Sequence, residues 1–168
     1  FHQIGVEAIG PNSTSPYLDA EVIALAIHLL NELGVKDCKL KINTLGSEED
    51  KKSFSLFVRT ALEERKKDLC EDCQNRFERN ILRVLDCKKE QCKKIVHETV
   101  FTVALKKDGG FVAAEAGTMT LSEESVKYFT AVQNCLSSLG IAFEISRDLV
   151  RGLDYYTHTV FEITAEGL

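Results

Sequence analysis

The chain has 168 residues, 44% hydrophobic and 28% charged, with a formal net charge of −5 and a pI near 5.4. That is the composition of a globular protein with one good core; its bulk charge excludes a generally basic nucleic-acid binder, and no apolar run approaches the ~20 residues that span a bilayer. Six cysteines and no basic-then-apolar leader predict a reducing, cytoplasmic setting, and the lack of an initiator Met predicts a start within a longer protein.

Residues 1–10, FHQIGVEAIG, are short and apolar and predict a buried strand. PNSTSP follows as a turn-rich loop. Asp19 reads as the N-cap of a helix on which Val22, Ile23, Ala26, Leu29, Leu30 and Leu33 recur at helical spacing until Gly34. CKLKINTL is strand-like, with Leu40 and Ile42 on one face. Ser47 and Asp50 have the spacing of a capping box, and Phe54, Phe57, Val58, Ala61 and Leu62 form the stripe of a second helix. A charged, cysteine-bearing stretch begins near Leu69. From about His97 to Ala113 the pattern predicts a β-hairpin, with Phe101, Val103 and Leu105 on one face and Asp108-Gly109-Gly110 as the turn. Thr120 and Glu123 read as the capping box of a last helix carrying Val126, Phe129, Val132, Leu136 and Leu139, which Gly140 ends. IAFEI and HTVFEIT predict strands on either side of RDLVRGLDYY. Cys38 and Cys135 read as small packing residues.

Three features could carry chemistry. Gln3 and Glu7 are four apart on a predicted strand, so both share one face, either lining a pocket or forming a solvent-facing polar row. Arg151, followed by Gly-Leu-Asp and then Tyr155 and Tyr156, offers a fixed cation and two hydroxyls to a small polar substrate; the alternative is a surface Arg–Asp pair with packed tyrosines. Cys70 and Cys73, then Cys87 and Cys92, form two close pairs with the spacing of a four-thiolate structural zinc site, or are four unliganded thiols. Between Arg59 and Lys94 there are eleven Lys/Arg against eight Asp/Glu, an excess of three positive charges in an acidic chain. On charge alone that is a solvated helix face.

LVRGLDYYTHTVFE resembles the histidine-specific signature of histidyl-tRNA synthetases, and FHQIGVEAIG followed by YLDAEVIAL is similar to the end of class II motif 2 and the helix after it. NTLGS and RNILRVLDCK match further stretches of the bacterial-type enzymes in the same order, with Ile81 where the family has Pro. The resemblance implies an α+β fold: part of the antiparallel catalytic sheet of a class II aminoacyl-tRNA synthetase with its helices, interrupted by a mostly helical insertion. It divides the chain into 1–46 and 143–168 in the catalytic core and 47–142 in an insertion facing the tRNA acceptor arm. The hairpin has no counterpart in the family pattern.

The implied activity is ATP-dependent activation of histidine and its transfer to tRNA(His) by a cytoplasmic homodimer. Residue by residue, Phe1 matches the aromatic that stacks on adenine, and Gln3 the residue that bonds the histidine amino group. Glu7 and Tyr156 match the pair that reads the imidazole, with Tyr155 lining the same pocket. Arg151 matches the catalytic arginine at the α-phosphate and substrate carboxylate. Magnesium is implied with ligands outside this chain, as are motif 1, the motif 2 arginine, motif 3 and the anticodon-binding domain, which would leave these 168 residues inactive by themselves. The family context turns the basic stretch into an acceptor-stem contact. The competing function is that of the regulatory subunits of ATP phosphoribosyltransferase, which share the fold and do not charge tRNA. Retention of Gln3, Glu7, Arg151 and the tyrosine pair speaks against it.

Overall fold

A computed structural model describes residues 2–11, 13–101, 121–146, 149–150 and 156–165. Helix α1 (Pro16–Glu32) begins with Pro16 in its first turn after the N-cap Ser15. The helix thus starts earlier than the reading of Asp19 as its cap, because proline pre-sets the helical φ and has no N–H to leave unpaired. Gly34, at φ 79°, ends it. Strand β1 (Lys39–Thr44) follows, then α2 (Glu48–Leu62), whose Ser47–Asp50 capping box is fully formed. A 3₁₀ turn over Glu63–Asp68 leads into three short helices, α3 (Glu71–Arg79), α4 (Leu82–Leu85) and α5 (Glu90–Val96). The long helix α6 (Glu123–Ser138), the two-residue β2 (Glu144–Ile145) and β3 (Thr159–Thr164) complete the described elements.

The sheet has the order β2-β1-β3. β3 runs antiparallel to β1, with Ile42 opposite Phe161, but β2 runs parallel to it, with Lys41 opposite Glu144. The described sheet is therefore mixed rather than purely antiparallel. Parallel pairing needs a long crossover, and all the chain from α2 to α6 lies between β1 and β2.

Two clusters of buried side chains pack on this frame. One joins Ala20 and Ile23 of α1, Leu40 and Ile42 of β1, and Phe129, Val132 and Leu136 of α6, with Phe161 and Ile163 against it. The other gathers Phe54, Val58 and Leu62 of α2 with the short helices, and takes in Leu45, Leu149, Val150 and Val160. Successive strand residues point to opposite faces, so Val160 reaches the second cluster while Phe161 reaches the first. Helix α6 thus packs with the sheet, and residues 47–101 form a helical module beside it.

Several expectations are corrected. Residues 2–9 form no strand and are exposed, Ile4 at 81% and Ile9 at 90%; apolar residues in extended chain are buried only where a ladder partner and a covering layer exist, and the described sheet supplies neither here. Of IAFEI only Glu144 and Ile145 pair, on an edge, and both are exposed. His97–Phe101, read as the start of a hairpin, is a turn of π-helix continuing α5, which keeps Ile95, Val96 and Val100 in the second cluster. The hairpin's remaining residues, 102–113, lie outside the described residues. The cap of α6 is Ser122, whose side chain accepts from the Ser125 N–H; Thr120 is not among the described residues. Among those residues no helix is long and apolar enough to cross a membrane.

Candidate functional site

The run from Arg151 to Tyr155 lies outside the described residues, but both of its flanks are firmly held. On the upstream side Ser146 N–H donates to Ile42 O at 3.0 Å and Leu149 N–H to Ser146 O at 3.0 Å. The buried Asn43 amide donates to Leu149 O at 2.9 Å, and Leu149 and Val150 are themselves buried. Downstream, Lys51 Nζ donates to Tyr156 O at 3.1 Å and pairs with Glu48 at 3.0 Å. His158 N–H donates to Gly46 O and Leu45 N–H to His158 O, both at 2.7 Å. The His158 ring stacks on Tyr128 at 4.4 Å, and the Tyr128 hydroxyl donates to Asp19 at 3.1 Å. Burial, with the Asp19 charge beside it, pushes the Tyr128 phenol up.

Of the residues assigned to histidine and ATP, Tyr156 is described and its side chain is partly open to solvent; Gln3 and Glu7 are exposed on the 2–11 segment. Phe1, Tyr155 and Arg151 lie outside the described residues. The structure does not draw Gln3 and Glu7 into a closed pocket. Instead Val6 and Ala8 of the same segment line a cavity of about 220 Å³ with Val22, Ile23, Thr159 and Phe161. Thr159 Oγ1 and the neighbouring His158 Nδ1 are buried without a hydrogen-bond partner, a state that native structures seldom leave unexplained. Their sequence neighbourhood gave no sign of it, since satisfaction depends on what the fold brings near.

The second constellation is in the module. Cys70 is the N-cap of α3 and Cys73 sits in its first turn; Cys87 follows α4 and Cys92 sits in the first turn of α5. Their four Sγ atoms all lie within 4.8 Å of one another, with Cys70 and Cys87 at 4.0 Å. All four are free thiols; Cys73 and Cys92 are fully enclosed, and the Cys70 N–H points at Cys92 Sγ at 3.3 Å. Burial pushes the Cys70 thiol up, but the Cys73 N–H and the thiols of Cys73, Cys92 and Cys87 outweigh it and hold the group at about 7. Cys73 and Cys92 are both pushed up, first by burial. The two sequence pairs thus converge on one point.

The small mixed sheet with its helices matches a solved class II aminoacyl-tRNA synthetase. Apo histidyl-tRNA synthetase of Staphylococcus aureus superposes on this fold with a TM-score of 0.61 and 32% identity, over 93% of this chain and 33% of that one. The histidyl-tRNA synthetase family profile matches residues 1–168. Histidine–tRNA ligase of Bacillus velezensis is 44% identical over 99% of the chain, and that of Moorella thermoacetica 42% identical over all of it. The chain belongs to the histidyl-tRNA synthetase family. It spans 36% of the length of those two relatives.

Proposed function

We propose that this chain is the part of a cytoplasmic, homodimeric histidine–tRNA ligase that recognises histidine and faces the acceptor arm of tRNA(His). The observation that carries the proposal is the family match along the whole chain, RGLDYY included, with both flanks of that run pinned to β1 and α2. Glu7 and Tyr156 read the two imidazole nitrogens, Gln3 the amino group, and Tyr155 lines the pocket. Phe1 stacks on adenine, and Arg151 meets the α-phosphate. A site built to bond both ring nitrogens rejects analogues that would leave its buried polar groups unpaired.

ATP is the co-substrate, and its magnesium takes ligands from outside this chain. The expected structural zinc at Cys70, Cys73, Cys87 and Cys92 is separate from that chemistry, because four thiolates leave no coordination position for substrate. The insertion was expected over 47–142. We assign its described part to 47–101, with α6 on the catalytic side because it packs with α1 and the sheet. On the module Lys67, Arg79, Arg83 and Lys88 are exposed, a set suited to RNA phosphates.

Histidine-dependent ATP–pyrophosphate exchange tests the reading, using this chain and a version extended to the length of its relatives. Exchange in the extended protein alone is the expected result. Histidine binding without exchange in that protein would assign the chain to the regulatory, non-charging type.

Lys51 acts on the same site as a positioning residue. Its side chain is 7% exposed, and its bond to the Tyr156 carbonyl is charge-assisted, worth ~1.5–3 kcal/mol. Lys51→Met is expected to raise the histidine KM about tenfold while the ATP KM and kcat change less, with partial rescue by Lys51→Arg. Equal changes in both KM values would assign Lys51 a merely structural part.

A further inference from the structure

We propose that the four thiols bind one zinc ion as a tetrathiolate, and that this ion holds the tRNA-facing module in shape, so that its loss abolishes charging but not histidine activation. The second half rests on the synthetase reading; the first does not.

The geometry carries the metal. Zinc–thiolate bonds of ~2.3 Å at tetrahedral angles place sulfurs ~3.8 Å apart. Cys70 and Cys87 are already at 4.0 Å, and no pair exceeds 4.8 Å. The widest separation exceeds that tetrahedral edge by about 1 Å at most, a difference that side-chain torsions absorb. Four sulfurs within 4.8 Å of one another suit one central cation better than a pairwise bond, which needs ~2.05 Å and leaves two thiols over. The enclosing atoms fit the charge. A tetrathiolate around Zn²⁺ is doubly negative; the Cys70 N–H already points at Cys92 Sγ, and Arg76, Arg83, Lys88 and Lys89 border the surface cavity beside Cys87.

The local fold explains why the ion matters. Helices α3, α4 and α5 have nine, four and seven residues, all below the ~12–15 at which a helix persists by itself. The ligands sit at the N-termini of α3 and α5 and just after α4, so one ion fixes all three relative to each other. Phe77, Leu82, Ile95 and Val96 then close over the centre in the second cluster. With free energy of that kind, metal binding is folding. The exposed cations proposed to meet tRNA lie on these same helices and turns, whereas β1 and α6 pack in the other cluster, which β3 joins through Phe161 and Ile163 while Val160 faces this one.

Three measurements on the purified proteins decide the matter. Metal analysis of this chain, produced with zinc available, should give about one equivalent, and cobalt exchanged into it should show the intense visible bands of a tetrahedral thiolate site. Cys73→Ser with Cys92→Ser should abolish both. In the extended enzyme, chelation should cut tRNA charging at least about tenfold and leave histidine-dependent exchange within about twofold, with zinc restoring charging. Less than about half an equivalent of metal, with all four thiols reactive and the helical signal unchanged by chelator, overturns the zinc centre. Bound zinc whose removal lowers exchange and charging together overturns the module-specific role and leaves the centre standing. Absence of exchange before chelation would instead count against the synthetase reading.

Discussion

Asp50→Ala is expected to cost about 3 kcal/mol of unfolding free energy at neutral pH. The Asp50 carboxylate is 6% exposed and accepts from the N–H groups of Ser47 and Ser122, both at 2.9 Å, and from the hydroxyls of Ser122 and Ser125. Ser47 is where the chain leaves the sheet for the module, and Ser122 is where it returns to α6. One carboxylate therefore bolts the exit to the return. Gly46 beside it has φ 69°, and a Cβ there would come within 2.6 Å of Asp50 and 2.8 Å of Leu121, so the backbone itself is shaped around the bolt. Removing the carboxylate strands the Ser122 N–H and takes an acceptor from the Ser47 N–H and the Ser122 and Ser125 hydroxyls, which keep bonds at 3.1 and 3.0 Å among themselves; a buried donor without a partner costs ~1–3 kcal/mol.

The same group makes an acid prediction. Burial pushes its pKa up, but bonds from the Ser125 hydroxyl, the Ser47 N–H and the Ser122 N–H and hydroxyl prevail and hold it at about 2. A folded value below the unfolded one of ~3.9 means the stabilisation is complete above pH ~4 and is lost as the pH falls through about 2. At ~1.4 kcal/mol per unit this is roughly 2.5 kcal/mol. Urea unfolding of the wild type and of Asp50→Ala should therefore differ most at pH 7 and converge towards pH 2. A difference that is flat across that range, or below about 0.5 kcal/mol at pH 7, would sink the assignment.

That residue also marks the boundary of what a sequence can reveal. The Ser47–Asp50 box was legible because capping is a three-residue relation. That Asp50 also serves Ser122 and Ser125, 72 and 75 positions on, has no local signature. At the other end of that contact the pattern misleads. Ser122 is followed three residues later by Ser125 and not by an acid, so the Thr120–Glu123 spacing drew the cap upstream of its true place. The stripe of α2 and the Gly34 and Gly140 stops are periodic or conformational signals and were readable. Residues 1–10 show the converse: apolar content predicts burial, but burial requires a partner the described sheet does not offer them. The cysteine pairs were legible as pairs, whereas their convergence across 22 positions is a property of how α3 and α5 pack. For the proposed histidine site, the motif offered the candidate residues and the fold added Lys51 and Asn43, which hold Tyr156 and Leu149 on its two flanks.

Those anchors set the expectation for Arg151→Ala. Attack of the histidine carboxylate on ATP builds negative charge at the α-phosphate, and a guanidinium placed there in advance stabilises the transition state without reorganising. Placement in advance is the costly part, since an arginine free to swing would lose side-chain entropy at each turnover. The described chain on either side of that position is held: Val150 is 2% exposed, Asn43 donates to the Leu149 carbonyl and Lys51 to that of Tyr156. In the extended enzyme Arg151→Ala should slow adenylate formation ~10²–10³-fold, the usual cost of removing one preorganised donor. Histidine affinity should fall by much less, because the imidazole contacts assigned to Glu7 and Tyr156 are untouched. Single-turnover kinetics give the first quantity and calorimetric histidine binding the second. Falls of similar size in both would make Arg151 a binding residue and move the catalytic charge elsewhere. The contrast with Lys51→Met, which should act on histidine KM and spare kcat, separates the group proposed to meet the reacting atoms from the group that holds the Tyr156 backbone.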